Sequence, residues 1–132
     1  MKIKNTMLQA DKVSLHNTGV LGDNFKLNPL YEKEVLKDSE STYILKLYVK
    51  LHNTEENPFP VDFDISFTSR FEFEDIKDEK EITSYLNINA IQMIFPYIRA
   101  AITSIFSAAL LPPLVLPIID VRDFKLKSWI CD

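Results

Sequence analysis

A chain of 132 residues, 46% hydrophobic and 26% charged, has the make-up of one folded soluble domain over residues 1–132 rather than of a disordered tail. Its formal net charge of −4, with basic residues scattered among acids, excludes a nucleic-acid binder built on clustered Lys and Arg. The two glycines, Gly19 and Gly22, have no Gly-Lys-Ser after them, which excludes Gly-rich phosphate loops. The single Cys131 excludes an internal disulfide or a thiolate zinc site, as expected in a reducing cytosol.

Behind the basic start Met1-Lys2-Ile3-Lys4, polar Gln9, Asp11 and Lys12 interrupt any apolar run, against a secretion signal. Met7 to Leu15 and Phe25 to Val35 carry partial alternation and are expected to be strands, connected through Gly19, Gly22, Asp23 and Asn24. Tyr43, Leu45, Leu47, Val49 and Leu51 alternate with polar neighbours, as do Val61, Phe63, Ile65, Phe67, Phe71 and Phe73. With Asn53 to Pro58 between them as turn chemistry, these two read as an antiparallel hairpin, its outer face setting Lys46 and Lys50 against the acids of the neighbour. Glu72 to Glu81 reads as a solvated acidic link.

A helix follows. Ile91, Ile94, Phe95, Ile98, Ile102, Ile105, Phe106 and Ala109 recur at three- and four-residue steps. Pro96 lies inside that pattern, so the helix either kinks there, leaving the Gln92 carbonyl unpaired, or begins near it. The opposite side, Ala100, Ala101, Thr103, Ser104, Ser107 and Ala108, is small and uncharged where a monomer's surface helix carries Lys and Glu. The expected cover is the same helix of a second subunit, because small residues let two backbones approach closely. Ala100 to Ile119 matches a membrane span in length, but Pro112, Pro113 and Pro117 would repeatedly break a helix in hydrocarbon. Leu110 to Ile119 is expected to be extended and Asp120 to Asp132 a polar tail. The plan is α+β, with a four-stranded antiparallel sheet packed against one long helix.

Catalytic chemistry is thin. His16 and His52 are isolated on strands with no adjoining nucleophile motif, and Asp62 with Asp64 falls short of a calcium shell. Cys131 beside Trp129 has no basic neighbour to lower its pKa. No cofactor and no enzyme activity is expected.

Phe95-Pro96-Tyr97-Ile98-Arg99-Ala100-Ala101-Ile102-Thr103-Ser104 resembles the helix signature of the export chaperone family SecB. Leu111-Pro112-Pro113-Leu114-Val115-Leu116 resembles that family's Phe-Pro-x-Leu-x-Leu segment, and Ile118-Ile119-Asp120-Val121 its continuation. The resemblance implies a cytoplasmic, ATP-independent chaperone, a dimer of dimers with helices sandwiched between dimers. It implies that unfolded polypeptides bind at Leu21, Phe25, Leu27, Leu110, Leu111, Leu114 and Val115, with Trp129 as an addition. Export members carry an acidic pair on the first strand for the translocation motor, where this chain has Lys12-Val13-Ser14-Leu15-His16. The Gly after the helix is also replaced. A divergent branch is implied, serving protein export or antitoxin protection, and the alternative is a fixed-partner assembly protein on the same fold.

Overall fold

The computed structural model describes residues 2–76 and 78–131, and the side chains of 130 and 131 lie outside that description, Cys131 among them. Strands β1 (Lys2–Asn17), β2 (Leu30–Lys37), β3 (Thr42–Leu51) and β4 (Val61–Glu74) precede helix α1 (Glu79–Ser84), a π-helical turn (Tyr85–Asn89) and helix α2 (Ala90–Ala108). A 3-10 turn (Val121–Asp123) and strand β5 (Lys125–Cys131) complete the described chain. The sheet order is β1-β4-β3-β2-β5, with β5 parallel to β2 and the remaining pairs antiparallel.

The strongest alternation makes the centre of the sheet. β3 and β4 pair from Thr42 opposite Glu72 to Leu51 opposite Phe63, so Leu45, Leu47, Val49, Phe63, Ile65 and Phe71 all bury on one face. Against that face lies the apolar stripe of α2, with Ile91, Ile94, Ile98, Ile102 and Phe106 at most 2% exposed. Ring contacts fix the helix direction. Phe73 meets Tyr85 at 5.9 Å and Phe63 meets Phe106 at 5.4 Å, so the helix runs antiparallel to β4.

The helix passes through Pro96 without ending, and it starts well upstream at Asp78, whose side chain accepts from Lys80 N at 3.0 Å. The reading in which the helix begins near Pro96 is therefore wrong. The acidic link also shrinks to residues 75–78, because Glu72 and Glu74 belong to β4 and Glu79 and Glu81 to α1. The segment from Ala100 to Ile119 is the end of α2 followed by an extended strap, not one helix. Glu79–Ala108 is long and apolar enough to cross a membrane by composition alone, but its apolar stripe is spent on the sheet.

Three further expectations are corrected. The Phe25 to Val35 strand begins only at Leu30, since Pro29 has no N–H to give a ladder. The tail after Asp120 supplies a fifth strand: Phe124, 2% exposed, packs on Tyr31 at 5.2 Å and Phe95 at 5.8 Å and delivers residues 125–131 to the free edge of β2. Outer-face ion pairs also differ from the hairpin reading. Lys50 pairs with Glu32 of β2 at 3.0 Å and Lys46 with Asp11 of β1 at 3.5 Å, while Asp64 takes Lys12 at 3.1 Å.

Candidate functional site

Beyond Ala108 the chain reverses in a Schellman motif: Leu111 N donates to Phe106 O at 3.0 Å and Leu110 N to Ser107 O at 3.1 Å. The left-handed position this motif needs is filled by Leu110, with φ of 60° and a side chain 92% exposed. The strap from residue 111 to residue 120 then runs back along α2. Arg99 donates through Nε and Nη2 to the Leu116 carbonyl at 3.0 and 2.8 Å, and Thr103 Oγ1 donates to the Leu114 carbonyl at 2.8 Å. Leu114 and Leu116 are buried while Val115 between them is 66% exposed, the alternation of an extended chain.

Between the strap and the loop before β2 lies a cleft of about 330 Å³ lined by Phe25, Leu27, Phe59, Phe106, Leu114, Val115 and their neighbours. Beneath it runs a chain of edge-on rings: Phe25 to Phe59 at 6.1 Å, Phe59 to Phe63 at 6.4 Å, and Phe63 to Phe106 at 5.4 Å. The loops are pinned locally. Phe59 N donates to Asn53 Oδ1 at 3.0 Å, and Thr18 Oγ1 donates to Phe59 O at 2.9 Å. Gly22 sits against the Phe25 ring so closely that a Cβ there would lie 3.1 Å from Cζ.

Of the eight residues singled out from the sequence, Phe25, Leu27, Leu114 and Val115 thus share one cleft. Leu111 is partly buried against the core, and Leu21 (94% exposed) and Leu110 stand out from the loop and the helix end without lining the cleft. Trp129 belongs elsewhere, on β5 opposite Val35 at the other side of the sheet order. Sequence reading missed Phe59 and Phe106 as lining residues because their apolar spacing signals only core. It also missed a second cleft of about 380 Å³ on the far side of the strap, bounded by Ile91, Phe95, Pro96, Arg99, Ile118, Ile119, Val121 and Phe124.

Tyr31 packs edge-on against Phe95 and Phe124 of that second cleft, and its hydroxyl is buried with no hydrogen-bond partner among the described residues. Burial pushes its pKa up to about 12, the Asp123 carboxylate adds to the rise, and the Arg99 guanidinium opposes it. At the end of the strap Asp120 holds Arg122 through Oδ1 at 3.0 Å and Oδ2 at 2.8 Å, which lowers its pKa to about 2. No cluster of three or more His, Cys, Asp or Glu side chains fit for a metal occurs among the described residues. Asp62 and Asp64 are occupied structurally, by Asn53 N and by Lys12.

The small-residue side of α2 divides in two. Thr103 is engaged by the strap of its own chain, whereas Ala100, Ser104, Ser107 and Ala108 are exposed. Ala101 is partly buried beside β1, where Leu8, Ala10, Phe67, Tyr97, Ile98 and Ile105 complete a further apolar cleft of about 330 Å³. Tyr97 at 68% and Met93 at 41% exposure extend that apolar surface along the helix.

Comparison with known proteins agrees with this architecture. An uncharacterised protein of Methanocaldococcus jannaschii is 24% identical over 124 residues, 92% of this chain and 79% of its own length. A SecB-like chaperone of Mycobacterium tuberculosis, solved in complex with a ChAD peptide from the HigA1 antitoxin, superposes with a TM-score of 0.69 at 20% identity. The match covers 89% of this chain and 91% of that one. The profile of the preprotein translocase subunit SecB family matches residues 24–125, and the chain belongs to that family.

Proposed function

We propose that this protein is an ATP-independent chaperone of the cytoplasm, a binding protein and not an enzyme, that holds unfolded polypeptide segments in the cleft between the strap and the loop before β2. The observation that carries the reading is where apolar surface is left open. Leu21 on the loop, Leu110 at the helix end and Val115 on the strap are 94, 92 and 66% exposed around a cleft floored by edge-on rings. Single apolar side chains are ordinary on a protein surface, but several gathered around one apolar cleft mark a docking site. Shallow apolar burial at about 25 cal/mol per Å² is indifferent to sequence, and several such sites gripping one chain add up to useful affinity.

Self-association belongs to the same proposal. The exposed Ala100, Ser104, Ser107 and Ala108, with Ala101, Tyr97 and the cleft beside β1, form the face for a second copy, and a dimer of dimers follows if two such faces are used. As to the client, Lys12 is tied to Asp64 and His16 lies opposite Asp62, so the first strand presents no acidic pair for a translocation motor. Antitoxin protection is therefore favoured over export, in line with the peptide held by the M. tuberculosis relative. That same complex favours a second reading, a dedicated holder of one partner.

Light scattering of an aggregating unfolded protein, without nucleotide, tests the proposal. Suppression at stoichiometric amounts is expected for several unrelated substrates. Suppression of none refutes chaperone activity, and protection of a single partner selects the dedicated-holder reading.

A further inference from the structure

We infer that Arg99 and Thr103 are the positioning residues of the polypeptide-binding cleft, fixing the strap on α2 so that Leu114 is buried and Val115 stands outward as the cleft wall. This rests on the cleft being the client site. The registers match: four residues of helix advance about 6 Å, and two residues of extended chain span about 6.6 Å. Side chains at 99 and 103 therefore meet the carbonyls of 116 and 114 in one antiparallel pass. Nothing else sets this register through the backbone, because the strap makes no backbone–backbone hydrogen bond from residue 112 to residue 119 among those described. Pro112, Pro113 and Pro117 have no N–H with which to slide into a ladder of another register.

The chemistry of the pair suits a fixed wall. Arg99 spends two donors on one carbonyl, a charge-assisted contact whose planar fork also sets direction, which a lysine ammonium does not. Thr103 adds a second fixed point one turn on, and it lines neither cleft beside the strap, so a change there acts on the cleft only through the strap. With both points held, the wall does not swing as a lid, and the cleft is present before a client arrives.

The test uses the full-length protein with isotope-labelled methyl groups and a fluorescent, carboxymethylated, permanently unfolded polypeptide as probe. Arg99→Met is expected to weaken binding about tenfold and Thr103→Val about threefold, the scale of losing one charged and one neutral hydrogen bond. Arg99→Lys should recover part of the loss and Thr103→Ser nearly all. Methyl order parameters should fall at Leu114 and Leu116 and stay unchanged at Leu47 and Ile65, with thermal midpoints preserved for Thr103→Val. Unchanged strap methyls and unchanged affinity in Thr103→Val overturn the inference, even if Arg99→Met fails to fold. If the wild-type chain ignores the probe, the client assignment fails, and the methyl measurement still decides whether these two side chains hold the strap.

Discussion

Leu110 offers a substitution that separates stability from binding. Its backbone has φ of 60°, where an L-residue with a Cβ is disfavoured by about 1–2 kcal/mol, and glycine is not. Leu110→Gly removes that cost and gives back about 0.5–1 kcal/mol through the greater freedom of glycine in the unfolded chain. Little burial is lost, since the side chain is 92% exposed. The net is a gain of about 0.5–1 kcal/mol. For 132 residues at about 2.1 cal/mol/K each, that raises Tm by about 2–4 °C. A client covering about half of the side chain makes its loss cost binding about 1 kcal/mol, near fivefold in Kd. Calorimetry on Leu110→Gly and Leu110→Ala, with fluorescence anisotropy on an unfolded probe, reads both quantities. Alanine keeps the strained backbone, so it should weaken binding without the rise in Tm. A glycine variant less stable than wild type would refute the strain argument, and unchanged affinity in both variants would refute a client role for Leu110.

Tyr31→Phe should stabilise the protein by about 1 kcal/mol, because it removes a buried hydroxyl that has no partner among the described residues, and a denaturant midpoint moved upward at constant m checks it. Asp120, held near 2 by Arg122, should titrate there by carboxyl NMR and move toward 4 in Arg122→Ala. Its folded pKa lies below the unfolded one, so what it contributes to the 3-10 turn is complete above about pH 4 and is lost as the pH falls toward 2. Ser104→Glu and Ala101→Glu should split any oligomer, because each buries a charge without a partner at the proposed self-contact, and multi-angle light scattering reads the mass directly.

How far these features can be read from the sequence depends on whether a residue answers to its neighbours or to distant ones. β3 and β4 were plain because both strands sit centrally with one wholly buried face, so alternation was complete from Tyr43 to Leu51. β1 was blurred for a physical reason: its register against β4 shifts between Asn5 and Met7 and again between Ala10 and Lys12, and each bulge moves the inward face by one residue. In β2 the inward position between Tyr31 and Val35 is taken by Lys33, buried enough that desolvation lowers its pKa, which hid the pattern. β5 could not be read at all, since Lys125 to Trp129 alternates weakly and is placed by Phe124 docking on Tyr31.

The cleft was half legible. Phe25, Leu27, Leu114 and Val115 came from family resemblance, while Arg99 and Thr103 gave no signal because their partners are backbone carbonyls, which every residue has. Thr103 accordingly sat among the small residues assigned to a neighbouring subunit, yet its hydroxyl is engaged within its own chain. Leu110 was equally hidden: a helix end marked by neither Gly nor Asn shows its left-handed residue only in three dimensions.

The most direct test of the central claim is a methyl and aromatic chemical-shift map recorded while a permanently unfolded polypeptide is titrated into the protein. The account predicts that perturbations gather at Phe25, Leu27, Leu110, Leu114 and Val115 and spare the outer faces of β3 and β4. Saturable binding with shifts confined to the Ala100 and Ser104 face, or no shifts at all, would contradict it.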